Sequence, residues 1–248
     1  ARTAYSAAFS LSRDCYPAAL GLARVAVASG RPEEAIRILQ DLLPQYPDNL
    51  GIKRELALAY YGSGDWSRAE PAVAELLQRD ARDGRFILMR AHILVEQGQF
   101  LQAQPLLDVY AGIDAGNRLY LYLRARVQAE GYRNRDSALT YLRSILRSAP
   151  SDAEAAAYAA RLLMESGRPE DQQEGRALLR SLLSAERPAA VVLDLAVRDA
   201  VVRSSWAEAL PFMERLLLEW RSSTDLFNAY QIQRGLRNSD AALAFARE

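Results

Sequence analysis

The sequence predicts an all-α fold, an α-solenoid of about six to seven antiparallel helix-turn-helix units. Two observations predict it: the composition favours helices, and small residues recur with a period of about 34 residues. Half of the 248 residues are apolar, but only 8% are aromatic. Ala, Leu, Arg and Glu, which are strong helix formers, dominate the chain, while the β-branched residues that favour strands are sparse.

Three columns of small residues share this period, and each column keeps it to within a residue or two. The columns are Gly30, Gly64, Gly98, Gly131 and Gly167; Ala23, Ala57, Ala91, Ala125 and Ala160; and Ala35, Ala69, Ala103 and Ala138. We expect each glycine to end the first helix of a unit in a left-handed conformation, which other residues adopt at a cost. Each alanine is expected to mark a place where two helices approach too closely for a larger side chain.

One phrase is written twice: residues 29–34 read SGRPEE and residues 166–171 read SGRPED. Proline suits the first turn of a helix, and the acidic residues after it suit the positive end of the helix dipole. We therefore expect the same tight turn between two helices at both places.

The predicted units also contain irregularities. One residue is inserted in the turn that follows Ala125, and about five extra residues lengthen the fifth turn or its second helix, around residues 165–176. Pro71 and Pro105 stand one period apart, early in two second helices. Because proline lacks a backbone N–H, we expect each to delay the regular start of its helix.

The units resemble the tetratricopeptide repeat (TPR) family, whose members stack helix-turn-helix pairs of about 34 residues. In the second unit, residues 50–83, the matching residues are Leu56, Ala57, Tyr60, Gly64, Ala69, Val73 and Leu76. The resemblance implies one right-handed superhelical domain over residues 1–248. It comprises an N-terminal capping helix at 1–15, four regular repeats at 16–151, and divergent repeats with a C-terminal cap at 152–248.

Composition argues against several classes of function. The 31 basic residues are balanced by 31 acidic ones, whereas a nucleic-acid-binding protein needs a basic excess. There is no run of about 18 apolar residues, so no transmembrane segment is expected. The single histidine, His92, is far from the single cysteine, Cys15, and no catalytic or phosphate-binding motif occurs. We therefore expect no metal, no cofactor, no catalytic residues and no enzymatic activity.

In the resembled family, side chains of the first helices line a concave groove that contacts ligands. At the equivalent positions of the repeats in this sequence, the resemblance predicts a strip of ligand-contacting residues: Arg54, Tyr61, Arg85, His92, Tyr122, Arg126 and Arg161. Two interpretations stay open: the strip binds a polar peptide or partner loop, or a flanking helix of the same chain fills it. Ion pairs between residues one helical turn apart are expected along it, and they are His92–Glu96, Arg126–Glu130 and Arg161–Glu165.

The resemblance implies a non-enzymatic scaffold or adaptor that binds another protein or peptide in this groove, with self-association through the terminal helices as a further expectation. The alternative is a bacterial envelope protein that binds a small apolar or amphipathic ligand, as in TPR proteins that accompany solute transporters. That function requires a closed cavity, expected near residues 165–176. An initial Ala1 and the use of arginine at all basic positions but Lys53 favour a bacterial periplasmic protein or lipoprotein whose leader or anchor has been removed.

Overall fold

The computed structural model describes residues 16–219 and 223–247, together with Thr3 and Tyr5. The described residues form fourteen α-helices and one π-helical turn, and no β-strand occurs among them. The all-α prediction is confirmed. Apart from Thr3 and Tyr5, the predicted capping helix at 1–15 lies outside the described residues.

The chain divides into two compact units, residues 1–134 and 135–248, which we call unit 1 and unit 2. The helices of unit 1 are α1 (Tyr16–Ala28), α2 (Pro32–Leu42), α3 (Leu50–Gly62), α4 (Trp66–Arg79), α5 (Gly84–Glu96), α6 (Phe100–Asp114) and α7 (Arg118–Arg126), followed by a π-helical turn (Val127–Gly131). The helices of unit 2 are α8 (Arg135–Ser148), α9 (Ala153–Met164), α10 (Pro169–Leu183), α11 (Ala190–Val202), α12 (Trp206–Glu219), α13 (Ser223–Gly235) and α14 (Ser239–Arg247). The boundary separates the two helices of the fourth predicted repeat, and a single domain over 1–248 stays a prediction.

Helices pack in the order of a repeat array within each unit. In unit 1, α1 packs on α2, α3 on α4 and α5 on α6, and each of these second helices also contacts the next first helix. Unit 2 follows the same order, with α9 on α10, α11 on α12 and α13 on α14. The alanines of the two columns are fully buried: Ala23, Ala35, Ala57, Ala69, Ala91, Ala103, Ala125, Ala138 and Ala160. The alanine columns therefore belong to the packed interior, as the sequence predicts.

Three of the predicted glycine turns are confirmed. Gly30, Gly64 and Gly98 have φ angles of 68°, 72° and 72°, in the left-handed region. After Gly30, the backbone N–H of Arg31 donates to the carbonyl of Ala26 at 2.9 Å. This hydrogen bond is the one that closes a Schellman cap, which satisfies a carbonyl left over at the helix end.

The glycine prediction is wrong for Gly131, which does not have a positive φ. The inserted residue of this repeat is absorbed in the π-helical turn, where the N–H of Tyr132 reaches the carbonyl of Val127 at 3.1 Å. The left-handed position therefore moves to Arg133, with φ 56°. Gly131 is small for a different reason: an added Cβ would come within 2.7 Å of the Cβ of Phe100.

The expectation of one turn for both copies of the repeated phrase is also wrong, because Gly167 does not have a positive φ. Both copies place proline in the first turn of their second helix. In the second copy, however, the hydroxyl of Ser166 donates to Asp171 at 2.6 Å and accepts the N–H of Arg168 at 3.2 Å. These side-chain hydrogen bonds support a different connection. The two copies of the phrase therefore have the same helix start but different turns before it.

The extra residues of the fifth repeat lengthen the start of α10. At the position where the earlier second helices bury an alanine, α10 buries Gly175, whereas Ala177 is exposed. A Cβ added to Gly175 would lie 2.8 Å from the carbonyl oxygen of Ala160, so α9 and α10 approach too closely there for a larger residue. The stretch of α10 that precedes Gly175 is about one turn longer than the stretch of α4 that precedes Ala69.

The prolines do not delay their helices, contrary to the sequence-based expectation. Pro71 and Pro105 lie inside α4 and α6, each as the sixth residue of its helix. Pro211 has the same place in α12. All three are exposed, so water can hydrate the carbonyl that loses its helical hydrogen bond.

First helices begin at a column of capping residues, which are Asn49, Asp83, Asn117 and Asp152. Each side chain accepts one or two backbone N–H groups from the first turn of α3, α5, α7 or α9. Asn and Asp are preferred there because their oxygens satisfy N–H groups that have no partner inside the helix.

Candidate functional site

The predicted strip lies mainly on the first helices of unit 1. Arg54 and Tyr61 belong to α3, and Arg85 and His92 belong to α5. The remaining residues are Tyr122 and Arg126 on α7, and Arg161 on α9 of unit 2.

A hydrogen-bonded network joins α3 to α5. The hydroxyl of Tyr61 bonds Nδ1 of His92, whose Nε2 lies 3.4 Å from the carboxylate of Glu96. Trp66 lies against both rings, with centroids 5.6 Å from Tyr61 and 5.9 Å from His92. Burial raises the pKa of Tyr61, and the carboxylate of Glu96 adds to the shift. The phenol therefore keeps its proton at neutral pH, and it acts here as a structural link.

The network continues to α7 through Arg126. Its guanidinium binds Glu96 of the preceding repeat and also lies 3.5 Å from Glu130. Burial opposes the charge on Arg126, but the two carboxylates outweigh it and raise its pKa. Because the side chain is only 20% exposed and meets two carboxylates, most of its charge is neutralised within the protein.

Arg54 is also engaged within the protein. It forms a 2.8 Å ion pair with Asp83 and lies over the ring of Phe86, 5.4 Å from the centroid. Since Asp83 caps α5, Arg54 secures the start of the next first helix. At Tyr122, the guanidinium of Arg118 lies over the ring at 5.2 Å.

Arg85 differs from the other predicted arginines of unit 1, because it forms no ion pair with a described residue, and its side chain is exposed. It lines a depression of about 560 Å³ together with Tyr61 and the apolar residues Leu88, Met89 and Ile113. We call this the Tyr61–Arg85 depression. Ile113 is 51% exposed, so part of the apolar lining is open to solvent.

Ile113 is not part of the predicted strip, because the strip follows the first helices and Ile113 lies at the end of a second helix, α6. A signal was present. The equivalent position of the preceding repeat, in α4, holds Arg79. An exposed arginine has therefore become an exposed isoleucine in the next repeat.

The predicted Arg161–Glu165 pair does not form among the described residues of unit 2. The guanidinium of Arg161 instead lies over the ring of Tyr158, 4.7 Å from its centroid. The backbone carbonyl of Glu165 accepts a 3.0 Å hydrogen bond from the guanidinium of Arg135. The aromatic ring one turn earlier on the same helix offers Arg161 a contact that competes with the carboxylate one turn later.

No three His, Cys, Asp or Glu side chains come together as metal ligands in the described ranges. No helix in the part of the chain that the structure describes is long and apolar enough to cross a membrane.

The family model of the tetratricopeptide repeat matches residues 1–54 and 60–127. The chain belongs to the tetratricopeptide repeat family. No curated protein is significantly similar to it in sequence.

Solved structures share the TPR fold. A TPR protein from Parabacteroides merdae is 14% identical with a TM-score of 0.79, covering 94% of this chain and 91% of that one. PilW, a type IV pilus biogenesis factor, is 17% identical with a TM-score of 0.62, covering 78% and 89%. YrrB, described as a TPR protein with an unusual peptide-binding site, is 15% identical with a TM-score of 0.57, covering 78% and 98%. At these identities the likeness establishes the fold, and the predicted TPR fold is confirmed.

Unit 2 of this TPR protein contains a second depression, of about 400 Å³, where α10, α11 and α12 meet. We call it the α10–α12 pocket. Its apolar lining includes Leu179, Ala196 and Phe212. One wall is the first half of α10, from Pro169 to Arg176, and contains the residues by which the fifth repeat exceeds the regular length.

Proposed function

We propose that this TPR protein is a non-enzymatic scaffold that binds a partner protein or peptide on the first-helix side of unit 1. The fold supports this proposal because stacked helix pairs offer an extended surface that is already formed before binding. A peptide-binding site is also named for YrrB, which has the same fold. The observation that carries the proposal is the Tyr61–Arg85 depression, where the guanidinium of Arg85, which forms no ion pair with a described residue, stands beside apolar side chains.

This chemistry suits a segment in which an acidic residue neighbours a large apolar one. The guanidinium of Arg85 can bind a carboxylate through two parallel hydrogen bonds. An apolar side chain would cover Leu88, Met89 and the exposed part of Ile113. Arg54 and Arg126 hold carboxylates of the protein itself, so they shape the surface without supplying free charge.

Affinity selection from a random peptide library on the immobilised chain tests this proposal. Selected peptides should combine Asp or Glu with Leu, Met or Phe, and fluorescence anisotropy should show them binding Arg85→Glu at least about tenfold more weakly. Arg82→Glu is a matched control, because Arg82 is exposed, close to Arg85 in the chain and without an ion pair to a described residue. Equal binding to both variants would show that peptides dock elsewhere.

A second candidate function is the binding of a small apolar or amphipathic ligand. The α10–α12 pocket favours it, since residues 169–176 of the irregular fifth repeat form one of its walls. The pocket is a depression open to solvent, and not the closed cavity that the sequence predicts. Its volume is at the lower end of the range of about 300–1,000 Å³ that is usual for small-molecule sites.

A bacterial periplasmic location and self-association through the terminal helices stay predictions. Fractionation of the native host and sedimentation velocity of the purified chain test them separately.

A further inference from the structure

The α10–α12 pocket combines an apolar floor with a charged rim. Leu179 and Ala196 are each 4% exposed, and Phe212 packs beside them. The floor therefore suits a hydrocarbon or aromatic group, whose burial is favourable because it removes apolar surface from water.

Two of the three arginines on the rim are held by the protein. Asp199, whose side chain is 11% exposed, lies 3.5 Å from Arg176 and 2.9 Å from Arg203. Arg203 also makes two 3.0 Å hydrogen bonds to Glu208. These groups form a fixed polar edge, with their charges largely satisfied.

The third rim arginine, Arg180, has no such partner. It is exposed and forms no ion pair with a described residue. Gln173 lies two turns earlier on the same face of α10, and its amide makes no hydrogen bond with a described residue. The rim therefore carries three guanidinium groups and two carboxylates. The side chains of Arg180 and Gln173, which have no ion pair or hydrogen bond with a described residue, both belong to α10 beside the apolar floor.

We propose that the α10–α12 pocket binds a small amphipathic carboxylate, with its apolar body over Leu179 and Phe212 and its carboxylate on Arg180. A guanidinium matches a carboxylate in charge and in planar geometry, and the Gln173 amide supplies a further donor at the same edge. The inference rests on the second candidate function, and it specifies the ligand class and the residue that recognises the charge.

Isothermal titration calorimetry of the whole chain with octanoate and with octanamide tests the proposal. The two probes share an apolar body, and only octanoate carries a charge. Octanoate should bind at a single site at least about tenfold more tightly than octanamide. Chemical shift changes on binding should centre on Leu179 and Phe212.

Three variants locate the site. Arg180→Gln should weaken octanoate binding to the level of octanamide, while Arg187→Gln, an exposed arginine outside the pocket lining, should bind octanoate like the unmodified chain. Gln173→Trp should block both probes by filling the pocket, with helicity and thermal midpoint unchanged because the position is exposed.

The outcomes separate the two levels of the proposal. If octanamide binds as tightly as octanoate, the pocket takes small apolar ligands and the assignment of a carboxylate is wrong. If neither probe shows saturable binding at millimolar concentration, the small-ligand function fails as well. Tighter binding of N-acetyl-Ala-Ala-Leu with a free carboxylate than of octanoate would assign the pocket to a chain terminus and overturn the proposed small ligand.

Discussion

The guanidinium of Arg126 in α7 binds the carboxylate of Glu96 in α5, one repeat away. The sequence predicts only the pair between Arg126 and Glu130, one helical turn apart, and does not indicate the pair between repeats. Through Glu96 the arginine is also linked to His92 and Tyr61, so one polar network spans the first helices of three successive repeats. A residue expected to be available to a partner is therefore part of the contact between neighbouring repeats.

The network changes the result expected for charge reversal at Arg126. Exposed pairs contribute little to folding, so the sequence alone predicts that reversing both Arg126 and Arg161 to Glu leaves the thermal midpoint nearly unchanged, and the same reasoning covers Arg126→Glu alone. The structure predicts a loss of about 1–3 kcal/mol, because the reversal places a third carboxylate beside Glu96 and Glu130 in a partly buried site. Urea unfolding measures the loss, and Arg82→Glu should stay within about 0.5 kcal/mol of the unmodified chain. Equal stability of the two variants would show that the network is unimportant for folding.

The repeated phrase provides a matched pair of glycine substitutions. Neither Gly30 nor Gly167 has any atom within 4 Å of an added Cβ, so the two sites differ in backbone conformation and not in space. Gly30→Ala should destabilise by about 1–2 kcal/mol, because φ at 68° is costly for alanine. Gly167→Ala should be neutral or stabilising by up to about 1 kcal/mol, since alanine restricts the unfolded chain. Thermal unfolding of the two variants measures the difference, and equal losses would contradict the assigned turns.

Asp83 tests the coupling of helix capping to the repeat interface. Its side chain accepts the N–H groups of Arg85 and Phe86 at the start of α5 and also binds Arg54 of α3. Asp83→Ala should cost about 1 kcal/mol, the usual effect of removing a helix cap. Asp83→Asn keeps a capping oxygen and removes only the charge, so it should recover most of that loss. If both variants lose the same stability in urea unfolding, the ion pair with Arg54 is the larger contribution.

The features predicted correctly from the sequence are those that one residue can specify by itself. An alanine column marks close packing because a larger side chain does not fit, and Gly30 ends a helix because its left-handed conformation is costly for other residues. The turn after α7 is different, because a π-helical turn absorbs one inserted residue and passes the left-handed position to Arg133. No residue type signals that choice.

The candidate site was predicted less well, because the position of a residue in the repeat fixes the face of the helix on which it lies but not the partner of its side chain. Arg54, Arg85 and Arg126 occupy similar helices in the sequence pattern, yet only Arg85 lacks an ion pair with a described residue. The column of capping residues is recognisable from the sequence, since Asn49, Asp83 and Asn117 recur at the period of the repeat. Combining it with Arg54 would have indicated that this arginine faces a carboxylate.

Tyr61 gives a prediction at alkaline pH. Burial raises its pKa above the ordinary value of about 10, and Glu96 adds to the shift. The unfolded chain therefore releases this proton at a lower pH than the folded chain does. Stability from the protonated phenol is complete below about pH 10 and is lost as the pH rises toward the pKa of the folded state.

Tyr61→Phe should therefore flatten the fall of the thermal midpoint between about pH 9 and pH 11, which calorimetry at several pH values measures. At neutral pH the same variant should be less stable by about 1 kcal/mol, because His92 loses its hydrogen bond to the phenol. Tyr132→Phe, which removes the hydroxyl of an exposed tyrosine, is the control with which the slope of Tyr61→Phe is compared. If Tyr61→Phe keeps the slope of the unmodified chain, the pKa of this phenol is not raised in the folded state.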